Sequence, residues 1–185
     1  MSGSQQVEAS YGGGAAPTYA TWDPANTYGV TLSGGNLTAT CTGYSNVIST
    51  KTVAMGSKAY WEVTVGTLTG VGPYIGVGNS FTTTYPGDYP YSIGYNSGGV
   101  VRQNSGAAVG SIASYASGDI IGIALDLSAY QITYYKNGVS QGTFSIQSGY
   151  AYYAAYGGNG GTTVTNFGAT AFSYAVPTGF NAGIY

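Results

Sequence analysis

Few side chains in this sequence can do covalent or acid–base chemistry. There are six acids, Glu8, Asp23, Glu62, Asp88, Asp119 and Asp126, together with one cysteine, Cys41, and no histidine. Lack of histidine removes the usual general base and the commonest metal ligand. Ser–His and Cys–His nucleophile pairs cannot be assembled, and a single thiol cannot make a zinc site. No clustered acidic loop points to calcium. Paired carboxylates are the remaining catalytic device, because two of them roughly 5–10 Å apart cleave glycosidic bonds. No two acids stand at i and i+2, where one strand face would carry both. Asp119 and Asp126 fall at opposite ends of one expected strand, about 23 Å apart at roughly 3.3 Å per residue. Only Glu62 could meet one of them across strands. The glycine runs at 12–14 and 157–161 lack the lysine and following helix of a phosphate cradle. The chain therefore reads as non-enzymatic, with no metal and no cofactor.

Binding chemistry is better represented. Tyrosine occurs 20 times, and Tyr85, Tyr89 and Tyr91 crowd one stretch with Pro86, Gly87, Asp88 and Pro90. Tyrosine supplies broad contact area at low entropic cost and is enriched at binding hot spots. Tyr85, Asp88, Tyr89 and Tyr91 are the candidate ligand-binding residues. The competing reading puts Tyr91 in the core and uses the other two to pack the loop down. Tyr150, Tyr152, Tyr153 and Tyr156 read mainly as strand residues with alternate rings inside.

A length of 185 residues suits one domain with a full core. Charged residues make up 5% of the chain and its formal net charge is −2. Four lysines and arginines cannot form an electrostatic footprint for nucleic acid. No apolar run approaches the ~18 residues that span a bilayer, and no basic segment precedes an apolar one at the N-terminus, so neither membrane insertion nor a signal peptide is expected. Cys41 excludes an internal disulfide and reads as a small buried hydrophobe. A surface of Ser, Thr, Asn, Gly and Tyr stays wet without charge, and low net charge removes repulsion between copies. Life in an assembly or outside a cell fits this palette, and self-association stays open. Asn36-Leu37-Thr38 fits a glycosylation acceptor by pattern alone.

The elements that must position these residues are strands. Met1 to Ala20 is Gly/Ser/Ala-rich and reads as an arm or linker, leaving residues 21–185 as the domain. Val30 and Leu32 alternate before a turn at Ser33-Gly34-Gly35-Asn36, and Leu37, Ala39 and Cys41 alternate after it. Trp61, Val63 and Val65 share one strand face, while Tyr60, Glu62 and Thr64 share the other. Tyr74 to Gly78 is a short strand, and Ile121, Ile123, Leu125 and Leu127 form an apolar face. Asn137-Gly138 is a hairpin signal, since both turn positions need positive φ. Stretches at 80–90 and 107–116 read as loops. With no 3.6-residue apolar period, the class is all-β, a sandwich or barrel of short strands.

Seven landmarks in order then resemble a SPRY domain. They are Tyr60-Trp61-Glu62-Val63, Tyr74-Ile75-Gly76-Val77-Gly78 and Tyr91-Ser92-Ile93-Gly94-Tyr95, then Gly118-Asp119-Ile120-Ile121-Gly122 with Leu125-Asp126. Tyr134-Tyr135-Lys136-Asn137-Gly138, Asn166-Phe167-Gly168 with Phe172, and Pro177 to Phe180 complete the set. The resemblance covers roughly Trp22 to Phe180. It implies a bent antiparallel β-sandwich of concanavalin-like build whose rim loops bind other molecules, and no catalysis. The opening, Trp22-Asp23-Pro24-Ala25-Asn26 through Leu32-Ser33-Gly34-Gly35-Asn36-Leu37, resembles the version in bacterial and bacteriophage proteins. With the arm and sparse charge, that suggests a virion component: a capsid decoration, fibre or tail protein. Its arm would dock on other virion proteins, and its loops would meet a host-surface glycan or protein. The alternatives are a soluble cytoplasmic or extracellular adaptor gripping a short peptide, and a lectin-like glycan binder.

Overall fold

The computed structural model describes residues 16–70 and 72–185. Most of the segment read as an arm, residues 1–15, lies outside the described residues. Tyr19 and Ala20 lie on the body: the Ala20 N–H donates to the Ile184 carbonyl at 2.7 Å, and the Tyr19 ring meets Tyr185 edge-on. The described residues form strands and no helix. In chain order the strands are β1 (Trp22–Ser33), β2 (Thr38–Val53), β3 (Lys58–Leu68), β4 (Tyr74–Gly78), β5 (Ser92–Asn96), β6 (Val100–Gln103) and β7 (Ala107–Ser111). They continue with β8 (Ile120–Asp126), β9 (Gln131–Lys136), β10 (Val139–Ser145), β11 (Tyr152–Gly157), β12 (Gly161–Asn166) and the short β13 (Asn181–Ala182).

The strands make one continuous ladder in the order β10-β9-β8-β3-β12-β2-β11-β4-β5-β6-β7, with β1 on β2 and β13 on β3. All pairings are antiparallel except β13 with β3. The long β2 belongs to both halves: Thr38–Cys41 pairs with β12, and Asn46–Val53 pairs with β11. Between those stretches the ladder bends, so its halves face each other as a near-closed sandwich. Rings from opposite halves meet inside, Tyr95 of β5 lying 5.3 Å from Tyr134 of β9.

Alternation built this core as the sequence indicates. Trp61, Val63 and Val65 on β3 face inward with Ile121, Ile123 and Leu125 on β8, and they meet Ile75, Val77, Ile93, Tyr152 and Tyr156 from the other half. Trp22 packs edge-on against Phe167 with centroids 5.1 Å apart. Cys41 is buried, and burial pushes its thiol pKa up. The Asn137-Gly138 turn has φ of 48° and 78° and joins β9 to β10 with Lys136 opposite Val139.

One expectation is corrected. The stretch 107–116 is not wholly a loop, because Ala107–Ser111 is the edge strand β7. Its small residues carry no strand signal of their own, and pairing with β6 supplies it. On the second face of β3, Thr64 is exposed, but Tyr60 and Glu62 are buried. The C-terminal segment crosses them. Glu62 accepts hydrogen bonds from the backbone N–H groups of Ser173 and Tyr174 at 2.8 and 2.9 Å and from the Tyr60 hydroxyl at 3.0 Å. Phe172 packs edge-on against Tyr60.

Trp61 is a core anchor, 1% exposed. Burying ~200 Å² of ring favours folding by about 5 kcal/mol before entropy is counted. Trp61→Ala should cost about 3–5 kcal/mol in denaturant unfolding; an unchanged midpoint would remove the assignment. A second prediction concerns acid. Burial disfavours the Asp126 charge, but the Lys58 ammonium at 2.7 Å, the Ser128 hydroxyl and the N–H groups of Ser128 and Ala129 outweigh it and hold its pKa at about 2. A folded-state pKa below the unfolded value stabilises above the ordinary carboxylate range and loses that contribution as pH falls toward 2. Thermal melts across this window should show Lys58→Met flattening the decline; identical slopes would contradict it.

Candidate binding face

The tyrosine-rich segment between β4 and β5 does not project from the rim. It lies flat on the outer face of the second half of the ladder. Inward positions of β4 and β5 carry Ile75, Val77, Ile93 and Tyr95, while the outward positions carry Gly76, Gly78 and Gly94 beside Tyr74, Ser92 and Asn96. Missing side chains make room for the loop. A Cβ on Gly94 would collide with the Pro86 carbonyl oxygen, and one on Gly78 would collide with the Tyr89 hydroxyl. Gly94 thus serves close approach of another backbone, and Gly78 the seating of a ring. On β8, a side chain at Gly122 would collide with the Tyr60 ring of the neighbouring strand β3.

Hydrogen bonds then fix the loop. The Ser92 hydroxyl donates to the Tyr89 carbonyl at 2.6 Å and accepts from the Gly87 N–H at 2.8 Å. The Gly106 N–H donates to the Gly87 carbonyl at 2.8 Å, and the Asn46 amide of β2 donates to the Thr82 carbonyl at 3.2 Å. Arg102 lies alongside, its guanidinium donating to the Gly106 carbonyl at 2.7 Å.

The four candidate residues separate. Tyr89 is buried against the sheet, and its burial pushes the phenol pKa up. Tyr85 is half-buried in a stack: Tyr74 lies 4.3 Å away on one side at 11°, and Tyr44 lies 6.2 Å away at 22°. Partial burial, then the nearby Asp88 carboxylate, raises its phenol pKa. Asp88 is half-buried and makes no ion pair among the described residues. Tyr91 is 39% exposed, contrary to the reading that placed it in the core. It sits at φ 57° at the entrance to β5 and packs on Tyr150, 4.6 Å away.

Two contributors escape sequence reading. Tyr44, 62% exposed, comes from the bend in β2 and caps the stack. Tyr150, read as a strand residue, lies just before β11 and partners Tyr91. Only the ladder order brings them to the loop. The face is therefore a set of phenols beside one carboxylate, Asp88, and one guanidinium, Arg102, suited to hydrogen bonding and stacking.

Among the described residues, strand register does not bring Glu62 to the acids at the two ends of β8. Glu62 is opposite Gly122 in the register with β8, not opposite Asp119 or Asp126. Asp119 accepts from the Asn137 amide at 2.7 Å and the Ala116 N–H at 2.8 Å and pairs with Lys136 at 3.1 Å, which locks the hairpin to the entrance of β8. Among the described residues no three His, Cys, Asp or Glu side chains gather as metal ligands.

A sequence profile of the SPRY domain matches residues 58–170, more than half of the chain. The chain belongs to the SPRY domain family. Such domains are generally non-enzymatic, protein-binding modules. The fold agrees. The SPRY domain of human HERC1 superposes with a TM-score of 0.66 at 17% identity, covering 78% of this chain and 96% of that one. The TRIM65 PSpry domain gives 0.65 at 17% identity, covering 80% and 90%, and a human SPRY domain gives 0.62 at 20%, covering 78% and 99%. Curated proteins include no sequence match. The family's Ile-Gly-Val-Gly and Ile-Gly-Tyr landmarks are here the bed on which this SPRY domain's own loop lies.

Gly94→Ala should lift the loop, because the Pro86 carbonyl must move. The expected cost is about 1–3 kcal/mol, with faster proteolytic cleavage inside residues 79–91. Cleavage at the wild-type rate would show that the loop does not depend on this contact.

Proposed function

We propose that this SPRY domain is an adaptor that docks a short, extended, largely uncharged peptide of a partner protein on the Tyr44–Tyr85 stack and the Tyr91–Tyr150 pair. The observation that carries the reading is the fixing of exposed phenol rings by a hydrogen-bonded loop on a glycine bed. Rigid rings lose little entropy when a ligand arrives, which leaves more of the contact energy as affinity. Phenol hydroxyls can donate to peptide carbonyls, and the charges beside the loop are few, the half-buried Asp88 carboxylate and the Arg102 guanidinium bonded to the Gly106 carbonyl. Tyr89 acts from below by holding the loop.

The virion reading draws on the resemblance of the Trp22 to Leu37 opening, on sparse charge and on the N-terminal arm, most of which lies outside the described residues, and the geometry of the face adds nothing to it. A peptide adaptor draws on residues whose positions are known and on the general role of the family.

Peptides selected from a random library against the full chain should bind at micromolar strength. Tyr85→Ala and Tyr91→Ala should each weaken a selected peptide about tenfold or more by calorimetry, with unfolding midpoints measured alongside. Selected peptides whose affinity ignores both substitutions would place binding elsewhere. Failure to select peptides, together with retention of neutral oligosaccharides on a glycan array, would replace the adaptor with the lectin reading.

A further inference from the structure

Tyrosine pairs are common in this domain, but most lie partly or wholly inside it. Tyr95 meets Tyr115 and Tyr134 in the core, and Tyr85 stacks on the buried Tyr74. Tyr91 and Tyr150 differ. Their centroids are 4.6 Å apart with planes at 32°, the short end of the range for aromatic pairs. Tyr91 is exposed and Tyr150 half-buried, so an oxidant can reach both. The other solvent-facing pairs are wider, Tyr44–Tyr85 at 6.2 Å and Tyr19–Tyr185 at 5.5 Å and edge-on.

The backbones on either side are held. The Tyr91 N–H donates to Asn104 Oδ1 at 2.9 Å, and the Asn79 N–H donates to the Tyr91 carbonyl at 3.2 Å, fixing a residue in left-handed conformation. Tyr150 follows Gly149, at φ 88°, and leads into β11. The neighbouring Tyr91 hydroxyl also raises the Tyr150 phenol pKa.

We propose that Tyr91 and Tyr150 are an oxidative modification site, where a haem peroxidase using hydrogen peroxide joins the two rings as dityrosine and fastens the 79–91 loop to the start of β11. Each phenol loses one electron and its hydroxyl proton, giving two tyrosyl radicals. A carbon ortho to oxygen in one ring bonds to the corresponding carbon in the other. Those two carbons then lose their hydrogens as protons, the rings regain aromaticity and the oxygens are reprotonated. In net terms two ring C–H bonds break, one C–C bond forms and two hydrogen atoms leave. Hydrogen peroxide accepts the two electrons and two protons, its O–O bond breaks, and two waters form. The link closes a loop of about 60 residues, which restricts the unfolded chain as a disulfide does. The inference rests on the geometry of this pair and not on the peptide-binding reading.

The test treats dilute full-length protein with a haem peroxidase and limiting hydrogen peroxide. The expected product is a monomer lighter by two hydrogen atoms, with blue dityrosine fluorescence and a peptide map joining Tyr91 to Tyr150. Its thermal midpoint should rise by several degrees. Tyr91→Phe and Tyr150→Phe should each lose this monomeric product, whereas Tyr28→Phe, altering an exposed ring elsewhere, should retain it. The proposal is overturned by coupling only between molecules, by a map joining another pair such as Tyr44 and Tyr85, or by no product under conditions that dimerise free tyrosine. A link that survives in Tyr150→Phe would overturn it equally.

Discussion

The sharing of β2 between two halves of one ladder is the constraint on which the domain depends. Thr38–Cys41 belongs to one half and Asn46–Val53 to the other. The bend between them turns a single run of strands into two opposed faces. Alternation then points Trp61, Ile121 and Ile123 at Ile75, Ile93 and Tyr156 across a common interior. Hydrophobic burial supplies the main driving force, while strand pairing decides which surfaces are available for it. The same bend exposes Tyr44 at the end of the tyrosine stack.

Outward surfaces are finished by segments laid across them. Over β4 and β5, glycine in place of side chains admits the 79–91 loop, and Ser92 ties it down from the sheet. Over β3 and β8, the C-terminal segment is clipped by Glu62, whose carboxylate accepts two backbone N–H bonds. Buried charge is tolerated only when hydrogen-bonded, and Glu62 shows how this charge-poor chain spends one acid on architecture. Asp119 and Asp126 likewise tie turns and strand ends through Asn137, Lys136, Lys58 and Ser128. Glu62, Asp119 and Asp126 are each engaged in contacts that hold the fold together.

The sequence by itself determined the class of fold, the hairpin at Asn137-Gly138, the core role of Trp61 and the burial of Cys41. Each follows from local pattern: a period of two, a turn that needs positive φ, a large ring among β-branched neighbours. It also indicated the 79–91 loop as the place to look, because composition alone concentrates tyrosine there. Tertiary structure decided which tyrosines face out. Tyr89 went inside because Gly78 left room for its ring, and Tyr91 stayed outside because its left-handed backbone, bonded to Asn79 and Asn104, turns it toward Tyr150. Tyr44 and Tyr150 joined the face through the order of β2, β11 and β4 in the ladder. β7 likewise exists because β6 offers a partner, not because Ala and Gly prefer extended backbone. Pairing partners far apart in the chain leave no periodic mark on either segment, and that is why the fold was legible locally while its binding face was not.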